Sequence, residues 1–192
     1  MTSTNQVRAA LKENASREMR KRIEATAPTA TGIYGVSVPL LNQLARDCKA
    51  GGMVLVQELW KSGSFEERLL ATKITGLVAA KTPEEALCFV TRAAAELSDW
   101  PVCDTLATQG IRPLVKTHRE QLLALARRCI GMSDPWQKRF GLVLFTNYVT
   151  DKNVQPEIVA MLRTVSVAGD HYVARALQWL KRDLRKARAS FP

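Results

Sequence analysis

Residues 64–87 read SFEERLLATKITGLVAAKTPEEAL and carry the helical pattern that runs through the chain. Ser64-Phe65-Glu66-Glu67 and Thr82-Pro83-Glu84-Glu85 both match the capping box. There a hydroxyl accepts from the amide three residues on, and a carboxylate returns to the cap amide. Between the two boxes Leu69, Leu70, Ile74, Leu77 and Val78 recur at three and four, the spacing of one apolar helix face. Two helices joined by a short turn follow.

The same marks recur outward along the chain. Thr117-His118-Arg119-Glu120 matches a third capping box, and Leu122, Leu125, Ala126 and Cys129 form another apolar face. Pro39, Pro83, Pro101, Pro135 and Pro156 sit just inside helix starts, where a fixed φ and a missing N–H cost nothing. Strand-like alternation is nearly absent; VLV at 54–56 lies inside a helical pattern. The spacing predicts helices over 4–26, 39–50, 53–61, 65–80, 83–97, 101–116, 118–130, 135–149, 156–166 and 171–188, with APTATGIYGVS (27–37) as the one longer loop. Short connections imply antiparallel neighbours stacked in pairs. The expectation is an all-α fold, an α-solenoid of degenerate helical repeats in a single domain, 1–192, with a concave face open to an extended polymer.

Composition narrows the function classes. Hydrophobic residues are 46% and charged residues 24% of 192, which suits a globular protein with a real core. No apolar run is long enough to span a bilayer, and MTSTNQVRAALKENASREMRKR lacks the apolar stretch of a secretory signal. Cytoplasmic location, with no membrane partner, is expected. Cys48, Cys88, Cys103 and Cys129 lie far apart among apolar residues and read as buried free thiols. With only His118 and His171 besides, no metal centre or cofactor is expected. P-loop, GxGxxG, GxSxG and HExxH motifs are absent. The net charge of +10 fits a polyanion partner such as nucleic acid.

Three blocks could carry chemistry. In the last helix Val173, Leu177, Leu180 and Leu184 make one apolar stripe, while Trp179 falls among Arg175, Arg182 and Lys186. An indole between cations suits phosphates and a sugar or base; equally, it suits a Trp covering a neighbouring helix with arginines snorkelling around it. In SDWPVCDTL (98–106) Pro101 fits the first helical position and Asp104 follows about one turn in. The helix dipole there keeps a carboxylate ionised, which is a sufficient structural reason for it. Trp100 lies four residues before Asp104, on one face, and a carboxylate beside an aromatic plane also stabilises a transient cation. In DPWQKRFGLVLF (134–145) Lys138 and Arg139 open a buried helix, placed either for a phosphate or, for Arg139, for a glutamate on the next helix. Trp136 and Trp60 read as packing.

Taken in order, GIYGVSVPLL (32–41), LWKSGSFEERLLA (59–71), DWPVCDTLA (99–107), PWQKRF (135–140) and HYVARALQWLKRDLRK (171–186) resemble the AlkD-type DNA alkylation repair family of HEAT-like glycosylases. The family's Trp followed four residues later by Asp matches Trp100 and Asp104; its arginine matches Arg139 and its second tryptophan Trp179. The resemblance implies a HEAT-like repeat fold and hydrolysis of the N-glycosidic bond of cationic N3- or N7-alkylated purines in duplex DNA, as base excision repair. It implies an open basic face that leaves the lesion largely in the duplex and tolerates bulky adducts. Asp104 would stabilise the developing oxocarbenium sugar and orient water, as carboxylates do in glycoside hydrolysis. Trp100 and Trp179 would pack on the damaged nucleotide, while Lys138, Arg139, Arg175, Arg182 and Lys186 hold phosphates. A monomer working on nucleoid DNA suffices. The competing reading is a non-catalytic helical-repeat module that binds nucleic acid; a protein-binding scaffold is a third.

Overall fold

The computed structural model describes residues 2–167 and 169–187, and within these every regular element is helical. The chain divides into two units, Met1–Leu114 and Val115–Pro192. The first holds α1 (Thr4–Glu13), α2 (Arg17–Thr26), α3 (Val38–Cys48), α4 (Gly52–Lys61), α5 (Phe65–Val78), α6 (Pro83–Ala93) and α7 (Trp100–Thr105). The second holds α8 (Arg119–Gly131), α9 (Pro135–Phe145), α10 (Gln155–Thr164) and α11 (His171–Lys186). Pro39, Pro83, Pro101, Pro135 and Pro156 fall at the first or second helical position, as their chemistry requires. The expected end of the last helix, residue 188, lies outside the described residues.

Helix α5 organises the first unit. α3, α4, α7 and the π-helical segment Leu106–Gly110 all pack on it. A helix enclosed on that many sides has no solvent face to mark, so Leu69 to Thr75 are buried without a break, Lys73 included. The expected apolar face is therefore only partly the buried one: Leu77 is 47% exposed at the helix end. Gly76 allows the closest approach, because a Cβ there would lie 2.3 Å from the Gln109 carbonyl oxygen. In the second unit α9 is the buried centre, with Phe140 to Phe145 all enclosed between α8 and α11.

The capping boxes mark the right places through the wrong contacts. Ser64 begins α5 with no side-chain cap bond. The Ser62 hydroxyl instead accepts from the Ser64 amide at 3.1 Å, taking the role the returning glutamate would have had. This releases Glu67 to join Glu66 in holding the loop at 27–37. Glu66, fully buried, accepts from the amides of Tyr34 (2.9 Å), Gly35 (2.7 Å) and Val36 (3.0 Å). Glu67 accepts from the Tyr34 hydroxyl at 2.8 Å and from Arg8 at 3.2 Å. Thr82 caps α6 by position only, and its buried Oγ1 has no protein partner. α8 is capped by His118 rather than Thr117. The side chains that do cap are Ser3, Ser16, Asp99, Asp134 and Asp170.

Further expectations change. The helix expected over 101–116 is α-helical only to Thr105 and continues as the π-helical Leu106–Gly110 and a 3-10 turn at Arg112–Leu114. Residues 4–26 form two helices, because the Ser16 amide turns out of the helical ladder to donate to the Gly35 carbonyl at 3.0 Å. Gly35 holds φ 95°, where a Cβ would strike Ser16 O at 2.3 Å, so only glycine permits this junction. All four cysteines are free thiols, but Cys88 is exposed rather than buried.

Candidate functional site

The Trp100–Asp104 pair sits on the short helix α7, and its cap is the neighbouring carboxylate. Asp99 is the N-cap and accepts from the Val102 amide at 2.9 Å, which makes Trp100 the first helical residue and Pro101 the second. Asp104 thus lies beyond the first turn, where the dipole expected to hold it ionised has largely fallen off, and Asp99 caps the helix. Asp99 is 2% exposed, and burial pushes its carboxyl up to about 6. The Val102 amide bond and the charge of Arg68 oppose that rise, while the charge of Asp104 adds to it.

Trp100 is fixed from the other side of the unit: its Nε1 donates to the Thr26 carbonyl, the last residue of α2, at 2.8 Å. With its N–H so engaged, the indole offers its faces. Trp100 and Asp104, both half-buried, line a groove of about 290 Å³. Its walls are apolar, among them Met19, Ile23, Leu41, Phe65 and Leu69, with Lys73 and Gln109 as further polar groups. An aromatic plane and a carboxylate side by side in a largely apolar cleft can stabilise a positive centre, because few competing dipoles screen it.

Lys73 went unread in the sequence. The amine donates to Asn42 Oδ1 at 2.7 Å and Gln109 Oε1 at 3.2 Å, both neutral oxygens, and desolvation lowers its pKa. A signal was there: Lys73 stands four residues after Leu69, in phase with the apolar face.

In the second unit, Arg139 is 6% exposed, and its Nη1 donates to the Tyr172 carbonyl on α11 at 2.7 Å. That carbonyl occupies one of its donors where the sequence offered a glutamate or a phosphate. Lys138 beside it is half-buried. Trp136 stacks on Tyr172 at 4.8 Å, and Trp60, in the first unit, packs edge-on to Phe89 at 5.4 Å, so both are packing residues as expected. On α11 the buried stripe is Val173, Ala176, Leu180 and Leu184, with Leu177 half-buried at its margin. Trp179 lies off the stripe, half-buried, while Arg175, Arg182 and Lys186 are exposed.

That basic face also holds a carboxylate the sequence reading passed over. Trp179 Nε1 donates to Asp183 Oδ2 at 2.7 Å, and Arg182 Nε reaches Asp183 Oδ1 at 3.3 Å. The spacing from Trp179 to Asp183 repeats that from Trp100 to Asp104, yet the chemistry differs. Asp183 holds its own tryptophan in place, whereas the Trp100 N–H is taken by a backbone carbonyl from another helix. The i, i+4 signal was available for both pairs.

Among the described residues no group of three His, Cys, Asp or Glu side chains could hold a metal ion, and no helix is long and apolar enough to cross a membrane. A family model described as DNA alkylation repair enzyme matches residues 7–189. No curated protein and no solved structure matches the chain.

Proposed function

We propose, from the premise that the chain belongs to the DNA alkylation repair enzyme family, that it is a glycosylase releasing cationic N3- or N7-alkylated purines from duplex DNA. The observation that carries this reading is the half-buried Asp104 beside the pinned ring of Trp100 in one largely apolar groove. A cationic purine is already a competent leaving group, so bond breaking asks for no general acid. What rises in energy is the sugar, which develops oxocarbenium character as the base departs. Asp104 faces that charge and orients the water that completes hydrolysis; the indole of Trp100 adds the attraction of its ring face for a cation. The base leaves with the bonding pair, which neutralises it; water then adds its oxygen to the sugar carbon and gives up its surplus proton to the Asp104 carboxylate and on to solvent.

Electrostatics sets the scale. A carboxylate and a unit positive charge 4 Å apart attract by about 4 kcal/mol at an effective dielectric of ~20 and about 1 kcal/mol in water. A hundredfold rate effect is about 2.7 kcal/mol, within that range. In the second unit, Lys138, Arg139, Arg175, Arg182 and Lys186 are read as phosphate-binding residues, and Trp179, held by Asp183, as a rigid ring for the nucleotide.

The test is base release from duplex DNA carrying N7-methylguanine, in single turnover. Asp104→Asn lowers the rate at least ~100-fold while binding persists. No release by the wild type would sink the enzyme assignment and leave the non-catalytic binding module.

A further inference from the structure

A second groove adjoins the Trp100–Asp104 groove and shares two of its residues. It encloses about 330 Å³ between α3, α5 and the segment that follows α7, and Lys73 and Gln109 line both. Its other polar lining is Asn42, Arg46 and Arg112; no carboxylate takes part. Arg46 and Arg112 are exposed, whereas Lys73 is 8% exposed. Arg46 keeps one contact of its own, from Nη2 to Gln43 Oε1 at 2.6 Å.

The charge balance of this groove is unusual. Burying an ammonium group is costly unless an opposite charge answers it. Lys73 meets two neutral oxygens instead, and the other two charged groups that line this groove are cations as well; the carboxylate of Asp104 lines only the adjoining groove. Three like charges around one cleft repel one another until an anion enters. A lysine serving the fold alone would be better replaced by a methionine, or matched by a glutamate. Gly76 maintains the arrangement, since its missing Cβ lets the Gln109 backbone close on α5 and carry the Gln109 side chain to Lys73.

We propose that the Arg46–Lys73–Arg112 groove binds a backbone phosphodiester of DNA, the one adjoining the nucleotide whose sugar faces Asp104. The ligand's identity rests on the glycosylase reading; the need for an anion does not. Shared walls give the reason for the pairing: a sugar in the first groove is covalently bound to a phosphate one step along the strand, and Lys73 stands between the two. Phosphate binding here fixes the register of the sugar on Asp104 and needs no base contact.

Affinity of the full chain for an undamaged duplex, measured against salt, tests the site without requiring catalysis. Each phosphate contact contributes about one to the slope of log affinity against log salt. Lys73→Gln with Arg112→Gln therefore loses roughly fourfold less affinity than wild type between about 50 and about 200 mM salt. Arg112→Gln alone, at an exposed position, shows the same direction even if the buried variant folds poorly. Replacing single phosphates by neutral methylphosphonates then locates the contact: one position weakens wild type several-fold and leaves the double variant unmoved. Unchanged salt slopes in both variants overturn the site, as do equal methylphosphonate penalties in wild type and variant at every position. Altered slopes together with no base release from methylated DNA uphold the phosphate site and remove the glycosylase reading.

Discussion

Replacing Glu66 by glutamine should unfasten the loop at 27–37 and, through it, the groove that holds Trp100. The carboxylate is fully buried and answers three backbone amides within 3.0 Å, two on Oε1 and one on Oε2. Glu66→Gln keeps an acceptor for Gly35 and Val36 but turns an NH₂ toward the Tyr34 amide, donor against donor. Hydrogen bonds to a charged acceptor contribute about 1.5–3 kcal/mol each, and an orphaned buried donor costs about 1–3 kcal/mol. Losing one bond, weakening two and orphaning one amide gives a destabilisation of roughly 3–5 kcal/mol. Urea unfolding followed by tryptophan fluorescence measures it, and amide hydrogen exchange assigns it. Protection of Tyr34, Gly35 and Val36 should fall together, while residues 140–145 of α9 in the second unit keep theirs. A loss below about 1 kcal/mol with unaltered exchange at those amides would refute the clamp.

Two other perturbations follow from the same unit. Asp99 has its carboxyl raised to about 6 from 3.8, so the native state holds the proton more tightly than the unfolded chain. Its contribution is fully present below the unfolded value and is lost as pH rises through about 6. Relative to Asp99→Asn, which keeps a capping oxygen, wild type should lose on the order of 3 kcal/mol between pH ~3.5 and ~7, a trend that parallel denaturation curves reveal. Gly76→Ala should destabilise by about 1–3 kcal/mol, because its Cβ meets the Gln109 backbone at 2.3 Å. Helix propensity alone favours alanine by about 1 kcal/mol, so a higher urea midpoint would count against the close approach.

Helix positions were legible because helix formation depends on neighbours within one turn. Apolar spacing and prolines located the starts of α3, α5, α6, α8, α9 and α10 to within a residue or so. The spacing of Trp100 and Asp104 was legible for the same reason, since four residues on a helix means one face. The split of residues 4–26 was not, because Ser16 leaves the helix for a carbonyl at Gly35, nineteen residues away.

Local pattern established an all-α chain, the starts of most of its helices, and the Trp100–Asp104 pair. The tertiary structure alone decided which hydrogen-bond partner each polar group takes. Glu67 matched a helix cap and instead holds Tyr34 and Arg8, while Glu66 clamps the loop; Asp99 caps α7, which puts Pro101 second in the helix rather than first. Lys73, one polar residue among many in the sequence, became the shared wall of two grooves. The physical reason is competition: a carboxylate, amine or indole N–H takes the best partner within about 3 Å, and folding sets which groups come that close.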